Sequence, residues 1–401
     1  MCIRDSNNNM SENEQLLKSF YATYSVGFFT FFLISSFMIY TPIVLDLLKI
    51  SKDELGFAVT FFGVFVILSN LLSSRFLIPK IGTTNCLKIS RIIISFVPLS
   101  VFYFETYYFL ILSYAIFGIG MGIQATCALT QVTIIENKTK KILTPIFKTS
   151  WAFGSISAAA LSTISLGYNF DPFNYFSVLG IIALSALVFL QFYGLNRKYD
   201  IPNNAPKFSL PSPKTFLFGI INMFQTASMG IIMVWSSAWL LEDLNSSLFL
   251  AGSIVFFFNF GAIISNIIAP SLIKVLNEIF VGPLFSVLGS VILFLSTLTM
   301  NVYIIFLGVT LFGFLSSNFM PIIIRESVRT SHKPIPITIS HVTSLGQSGF
   351  VFGPAIIGYS ASVNGLTFNV YAFCILFFII SILMTFLMKQ NKVAGVLEKS
   401  Q

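Results

Sequence analysis

The sequence predicts an all-α membrane protein with twelve transmembrane helices in two pseudo-symmetric six-helix bundles, and three observations predict it. First, 55% of the 401 residues are hydrophobic and 9% are charged, against roughly one quarter charged in an average soluble domain. A soluble fold has nowhere to put that much apolar surface, and a mean hydropathy of +0.86 turns the question from domain count to span count. Second, uncharged runs long enough to cross a bilayer recur down the whole chain. Third, the basic residues alternate from loop to loop as a polytopic protein requires.

A helix rises about 1.5 Å per residue and the hydrocarbon layer is about 30 Å thick, so roughly 20 uncharged residues make one crossing. The runs 19–45, 55–74, 106–135, 149–170, 172–196, 215–241 and 244–273 each supply one. The run 86–104 is shorter and carries Lys88 and Arg91 in its first two turns, where long basic side chains are expected to snorkel to the interface. It is read as span 3. The runs 279–324 and 334–388 would reach roughly 70 to 80 Å as single helices, so each is read as a hairpin. Their turns are placed at Met300-Asn301 and at Asn364-Gly365, an Asn-Gly pair that tolerates positive φ.

With twelve spans, only Lys49 and Lys52 of the 23 Lys and Arg fall on the outer side. Both termini are therefore expected in the cytoplasm, and the chain in the plasma (inner) membrane. The division that follows is a tail at 1–18, a bundle at 19–195, a cytoplasmic linker at 196–214, a second bundle at 215–388 and a tail at 389–401. The linker carries Pro202, Pro206, Pro211 and Pro213 among charges and Asn. Met10 can serve as the natural start, which would leave residues 1–9 as a scar. The first apolar run, 27 residues without a charge, is too long for a cleaved signal peptide.

The net charge of +8 comes from singly scattered residues with no basic stripe, so nucleic acid is not an expected partner. Cys2, Cys86, Cys127 and Cys374 lie far apart and suggest packing, not disulfides or a metal. No Walker A sequence is present, and no cofactor is implied. A weak internal repeat sets Gly122, Glu136 and Gly154 against Gly313, Glu326 and Gly346, and parallel six-helix repeats are one way to build a secondary transporter.

Several segments carry a resemblance. Span 11 reads Thr343-Ser344-Leu345-Gly346-Gln347-Ser348-Gly349, followed by Gly353-Pro354, Gly358 and Gly365-Leu366. Span 5 has Trp151-Ala152-Phe153-Gly154, span 7 Trp235-Ser236 and span 10 Asn318-Phe319-Met320-Pro321. From about residue 19 to 388 the chain resembles the major facilitator superfamily, within it the sugar-permease-like bacterial branch that includes fucose-permease relatives. The resemblance implies a monomer that works by alternating access, two six-helix bundles rocking around a central site. It also exposes departures. The signature loop after span 2 survives as Pro79-Lys80-Ile81-Gly82-Thr83-Thr84, without the acid of the usual cytoplasmic latch. Met229 and Val234 stand where relatives often carry acids around the Trp-Ser of span 7.

Candidate site residues follow from what hydrocarbon tolerates. A mid-span amide must face protein or a water-filled cavity, which marks Gln124, Gln225, Asn259, Asn318 and Gln347. They fall on spans 4, 7, 8, 10 and 11, which line the cavity in the resembled family, while spans 3, 6, 9 and 12 are almost purely apolar at their centres. An interhelical hydrogen bond is the competing reading of each amide taken singly. Trp151 and Trp235 could stack on a ring whose hydroxyls meet the amides. Trp239, Tyr24 and Tyr40, nearer span ends, read as aromatic-belt residues.

None of the fifteen acids lies near the centre of a span. His341 in span 11 is the candidate for carrying a proton, against a structural role. Glu136 and Glu326, with Arg325 adjacent, read either as partners at an inner gate or as solvated helix ends. Gly154, Gly349, Gly353 and Pro354 read as helix packing or as a sliding seam, and Gly118, Gly120 and Gly122 similarly.

The function expected is secondary or facilitated transport of a small polar solute, sugar-like or another small organic molecule, with the solute, the bilayer and protons as partners. An efflux carrier for amphipathic compounds is the first alternative. A membrane enzyme on lipid-linked substrates is the second, and two histidines with scattered carboxylates make a poor kit for it.

Overall fold

The structure is a computed structural model that describes residues 12–50, 52–168, 170–199 and 210–397. Cys2, the alternative start at Met10 and most of the linker lie outside them. Among the described residues every regular element is a helix, as expected where the surrounding medium offers the backbone no hydrogen-bond partner.

Span 1 is Glu12–Ile39. The apolar run continues, but Tyr40 leaves helical geometry and a separate short helix, Thr41–Leu48, follows with proline in its first turn; proline fits there because a helix start leaves its N–H unused. Span 2 is Lys52–Leu72, continued by a π-helical turn at Ser73–Leu77. It joins span 3, in Ile78–Phe104, through Gly82 at φ 79° and ψ 161°. Spans 4, 5 and 6 are Tyr107–Thr139, Thr144–Gly167 and Pro172–Tyr193.

In the second set, span 7 is Pro213–Gly230, a π-helical turn at Ile231–Trp235 and Ser236–Glu242. Span 8 is Leu248–Leu276 and span 9 runs through a π turn at Phe280–Leu284 into Phe285–Leu298. Span 10 is Val302–Ser316 and Phe319–Arg329, broken at Ser317-Asn318. Spans 11 and 12 are Ile335–Asn364 and Leu366–Leu397. Both expected hairpin turns are present, Met300 at φ 51° and Gly365 at φ 81°. Among the described residues, 8 stretches qualify as membrane crossings by length and hydropathy alone, and one of these, Phe57–Phe104, holds two spans. Spans 5, 7 and 11 are the more polar ones.

Two units emerge, Met1–Ser209 with Ile335–Ile337 and Leu210–Pro334 with Thr338–Gln401, and each repeats one packing scheme. In the first, span 1 packs on span 5, span 2 on span 4, and span 3 on spans 4 and 6. In the second, span 8 packs on span 10 and span 9 on spans 10 and 12, while span 7 meets span 11 at Gly346, Gly349 and Gly353.

The repeated glycines explain the scheme. A Cβ on Gly122 would stand 2.4 Å from the Val66 carbonyl of span 2, and one on Gly313 would stand 2.2 Å from the Phe258 carbonyl of span 8. Likewise Gly154 would meet the Phe28 carbonyl of span 1 at 2.2 Å, and Gly349 the Met223 carbonyl of span 7 at 2.0 Å. These backbones touch because no side chain separates them. The same equivalence holds at the turns: Asn277, before span 9, adopts φ 63° and ψ 168°, the geometry of Gly82 before span 3.

Three sequence expectations are corrected. Arg91 does not snorkel; it is completely buried. Span 3 begins its helix after Gly82, which places Arg91 roughly 13 Å along the rod, too far in for its side chain to turn back. Tyr40 is not a belt residue either: it is fully buried, donates to Ser165 Oγ at 2.7 Å and stacks on Tyr175 at 5.1 Å. Trp239, also buried, donates its indole N–H to Thr367 Oγ1 at 2.9 Å and so ties span 7 to span 12. The described start of the linker is docked on the first unit, with Arg197 donating to the Lys80 carbonyl at 2.6 Å and Tyr199 to Glu12 at 2.5 Å.

Gly154→Val and Gly349→Val are each expected to destabilise by about 1–3 kcal/mol through overpacking, read as a lower melting temperature in detergent. Asn277→Gly, which relieves a backbone region that favours glycine, is expected to raise the melting temperature. An equal response of all three variants would contradict this assignment.

Candidate functional site

In the first unit the polar groups converge on Thr30 of span 1. Its hydroxyl donates to the Val26 carbonyl at 2.7 Å and accepts from the Gln124 amide of span 4 and from Arg91 Nη1 of span 3 at 3.3 Å. Arg91 Nη1 also lies 3.4 Å from the Val26 carbonyl. Gln124 is buried, and its Oε1 has no partner. Burial without a partner is costly for such an atom, which distinguishes Gln124 from the fully used Gln131. Gln131 accepts from Thr23 at 2.6 Å and donates to Thr83 and Thr84 at 2.8 Å each, a structural clamp between span 4, span 1 and the start of span 3.

Trp151 is half-buried on span 5. Its ring stacks on Phe31 at 4.9 Å and meets Phe147 edge-on at 5.8 Å, with Lys148 Nζ 4.9 Å from the ring centroid. Tyr24 reaches Thr149 at 2.8 Å. Gly154 lies one turn beyond Trp151, at the contact with span 1 described above.

Glu136 is buried, so the solvated-end reading does not hold. Its Oε2 accepts from the backbone N–H of Leu143 at 2.7 Å and of Thr144 at 2.8 Å, and from the Thr144 hydroxyl at 3.0 Å. The carboxylate at the end of span 4 thus caps the beginning of span 5, where the exposed N–H groups and helix dipole favour negative charge.

In the second unit Gln225 is buried in span 7, with the Thr226 hydroxyl 3.4 Å from its Oε1. Trp235 ends the π-helical turn of the same span, and its indole N–H is buried without a partner. Such turns divert side chains from the ordinary helical track. Asn259 is half-buried and donates to the Val255 carbonyl of its own helix at 2.9 Å. Asn318 sits at the break in span 10, fully buried; it donates to Ser265 of span 8 at 2.9 Å, and its Oδ1 has no partner. The break follows from Pro321, which has no N–H to close the turn. Gln347 is half-buried and His341 buried, both on span 11. Gly349 and Gly353 pack on span 7. Pro354 lies within the span 11 helix.

Glu326 is fully buried, against the solvated-end expectation. It pairs with Arg329 and accepts from Asn391 of span 12 at 3.0 Å. Arg325 pairs with Glu278 at 2.6 Å, and Arg329 lies 3.6 Å from the same carboxylate. The bonds given above for Glu136, Glu326 and Arg325 all lie inside their own units. Glu278 was missed by sequence reasoning. It follows Asn277 at the turn equivalent to Gly82, so the acid lacking after span 2 has a counterpart after span 8. Arg91 and Lys148 were missed as well; for Arg91 the signal available was its distance from Gly82.

Comparison with known proteins places these features. The profile of the Major Facilitator Superfamily matches residues 23–333. An uncharacterised MFS-type transporter of Yersinia pestis is 23% identical over 256 residues, 63% of this chain. That match spans 65% of the relative's own length. Among solved structures, the human organic anion transporter TETRAN superposes with a TM-score of 0.74 at 13% identity, over 93% of this chain and 100% of that one. FucP in its outward conformation gives 0.71 at 13% identity over 92% and 99%. The proton:xylose symporter XylE, bound to 6-bromo-6-deoxy-D-glucose, gives 0.70 at 11% identity over 92% and 94%. At such identities the likeness concerns the fold.

The cap on span 5 yields an expected outcome. Glu136→Ala leaves two buried backbone donors without an acceptor and should lower stability by about 1–3 kcal/mol, read as a thermal melt. Glu136→Gln keeps one carbonyl acceptor and should recover part of the loss. Identical melts for both variants would show that the carboxylate does not cap the helix.

Proposed function

Because the chain belongs to the major facilitator superfamily, we propose that it is a multi-pass membrane carrier that moves a small polar solute by alternating access between its two six-helix units. With this family membership, the reading as a membrane enzyme is set aside. The observation that carries the proposal is a set of buried polar atoms without partners on sequence-marked residues: Gln124 Oε1, Trp235 Nε1 and Asn318 Oδ1. Two are acceptors and one is a donor, and a polyhydroxylated solute offers both kinds of group.

On this reading Gln124 and Trp151 of the first unit, with Gln225, Trp235, Asn259, Asn318 and Gln347 of the second, contact the solute. Trp151, backed by Phe31, offers a flat apolar surface for a ring. His341 would be the proton-carrying group if transport is coupled, since imidazole is the side chain whose ordinary range lies near neutral pH. The glycine contacts of spans 5 and 11 lie inside their own units, so they serve helix packing and not a sliding seam between the halves. We also propose a monomer in the plasma membrane, with both termini in the cytoplasm on the distribution of Lys and Arg. An exporter of amphipathic compounds remains the competing reading, and the direction of transport separates the two.

Counterflow in proteoliposomes against a panel of radiolabelled sugars and small organic acids tests the proposal. A transported compound should lose about tenfold or more in kcat/KM with Gln124→Ala and with Gln347→Ala, the effect of removing about 1.4 kcal/mol of interaction. Unchanged transport by both folded variants would remove these residues from the site.

A further inference from the structure

We propose that Arg91 is an anion-binding residue, holding a small monovalent anion, either a free halide or the carboxylate of a transported solute, on the Nε–Nη2 edge of its guanidinium. Arg91 is 0% exposed, and its Nη1 accounts for both of its hydrogen bonds, to the Val26 carbonyl and the Thr30 hydroxyl. Nε and Nη2 have no partner. Those two nitrogens share one edge of the planar guanidinium and point their N–H bonds in parallel, the arrangement that receives a carboxylate bidentately.

Charge makes these two unpartnered nitrogens informative. Buried charges are paired or hydrogen-bonded, because an isolated one loses its hydration without compensation. Among the described residues no carboxylate pairs with Arg91, whereas Arg325 and Arg329 each meet one. Lys148, half-buried in the same unit, lies over the Trp151 ring. Arg91 therefore has two donors without a partner on one edge, and through Nη1 it shares Thr30 with Gln124 of span 4.

A role limited to pinning span 1 would need only Nη1. It would also predict that anions have no effect on stability. The halide source stands independently, whereas the solute-carboxylate source rests on the transport reading above.

The test is a thermal-shift titration of the purified full chain in detergent with sodium bromide, acetate and propionate, at ionic strength held constant with isethionate. Wild type should be stabilised in a saturable way, and Arg91→Gln should raise the half-saturating concentration at least tenfold. Arg91→Lys keeps a point charge without the fork and should lose any preference for acetate over bromide. Gln124→Glu places a carboxylate beside the guanidinium and should raise the anion-free melting temperature while abolishing the anion response; it reports on the site even if Arg91→Gln does not fold.

Stabilisation by bromide alone assigns a halide, whereas stronger stabilisation by acetate and propionate assigns the carboxylate of a solute. No saturable anion effect in wild type, or an undiminished effect in Arg91→Gln or Gln124→Glu, overturns the proposal. Counterflow by a protein that shows no anion effect would overturn the site and leave the carrier reading standing.

Discussion

Hydrocarbon offers no hydrogen-bond partner to a backbone N–H or a side-chain amide, and the architecture of this protein is a set of answers to that restriction. Helices close their own backbone bonds. Where a helix is interrupted, at Tyr40, Gly82, Asn277 or Ser317-Asn318, the freed groups must be met by neighbours or kept inside protein. The side chains around these points follow the same restriction: Tyr40 reaches Ser165, Asn277 accepts from the Ile279 N–H, and Asn318 reaches Ser265.

Once every rod satisfies itself, the rods are held together by close fit, since lipid tails are as apolar as leucine. The glycine contacts supply that fit, and they occur at equivalent places in the two units. Span 4 lies on span 2 as span 10 lies on span 8, and span 5 on span 1 as span 11 on span 7. Carbonyl oxygens stand where a Cβ would be, so a side chain at these positions would force the helices apart.

Charge is where the two units diverge. In the first, Glu136 turns inward to cap the helix that follows it, and Arg91 is buried with its Nε and Nη2 donors unused. In the second, the equivalent acid Glu326 joins Arg329 and Asn391, and the turn before span 9 contributes Glu278 to two arginines. One packing scheme thus carries two electrostatic designs. The difference lies at span ends and at one buried cation, positions where a charged group changes local bonding without altering which helices touch.

The sequence by itself determined the all-helical class, the order of the spans, the hairpin turns at Met300 and Gly365 and the resemblance matched by the family profile. Each of these depends on runs of apolar residues and on local turn chemistry, which a linear reading captures. It also marked Gln124 and Asn318, because an amide inside hydrocarbon needs a reason to be there. Only the tertiary structure decided where polar side chains end. Arg91, Tyr40 and Trp239 look like interface residues when distance is counted from the end of an apolar run, yet all three are buried by neighbouring helices. Glu136 and Glu326 look solvated for the same reason. Burial is a property of what packs alongside, and for Arg91, Tyr40, Trp239 and Glu326 it involves contacts between residues 61 to 128 positions apart in the chain, which no local pattern encodes.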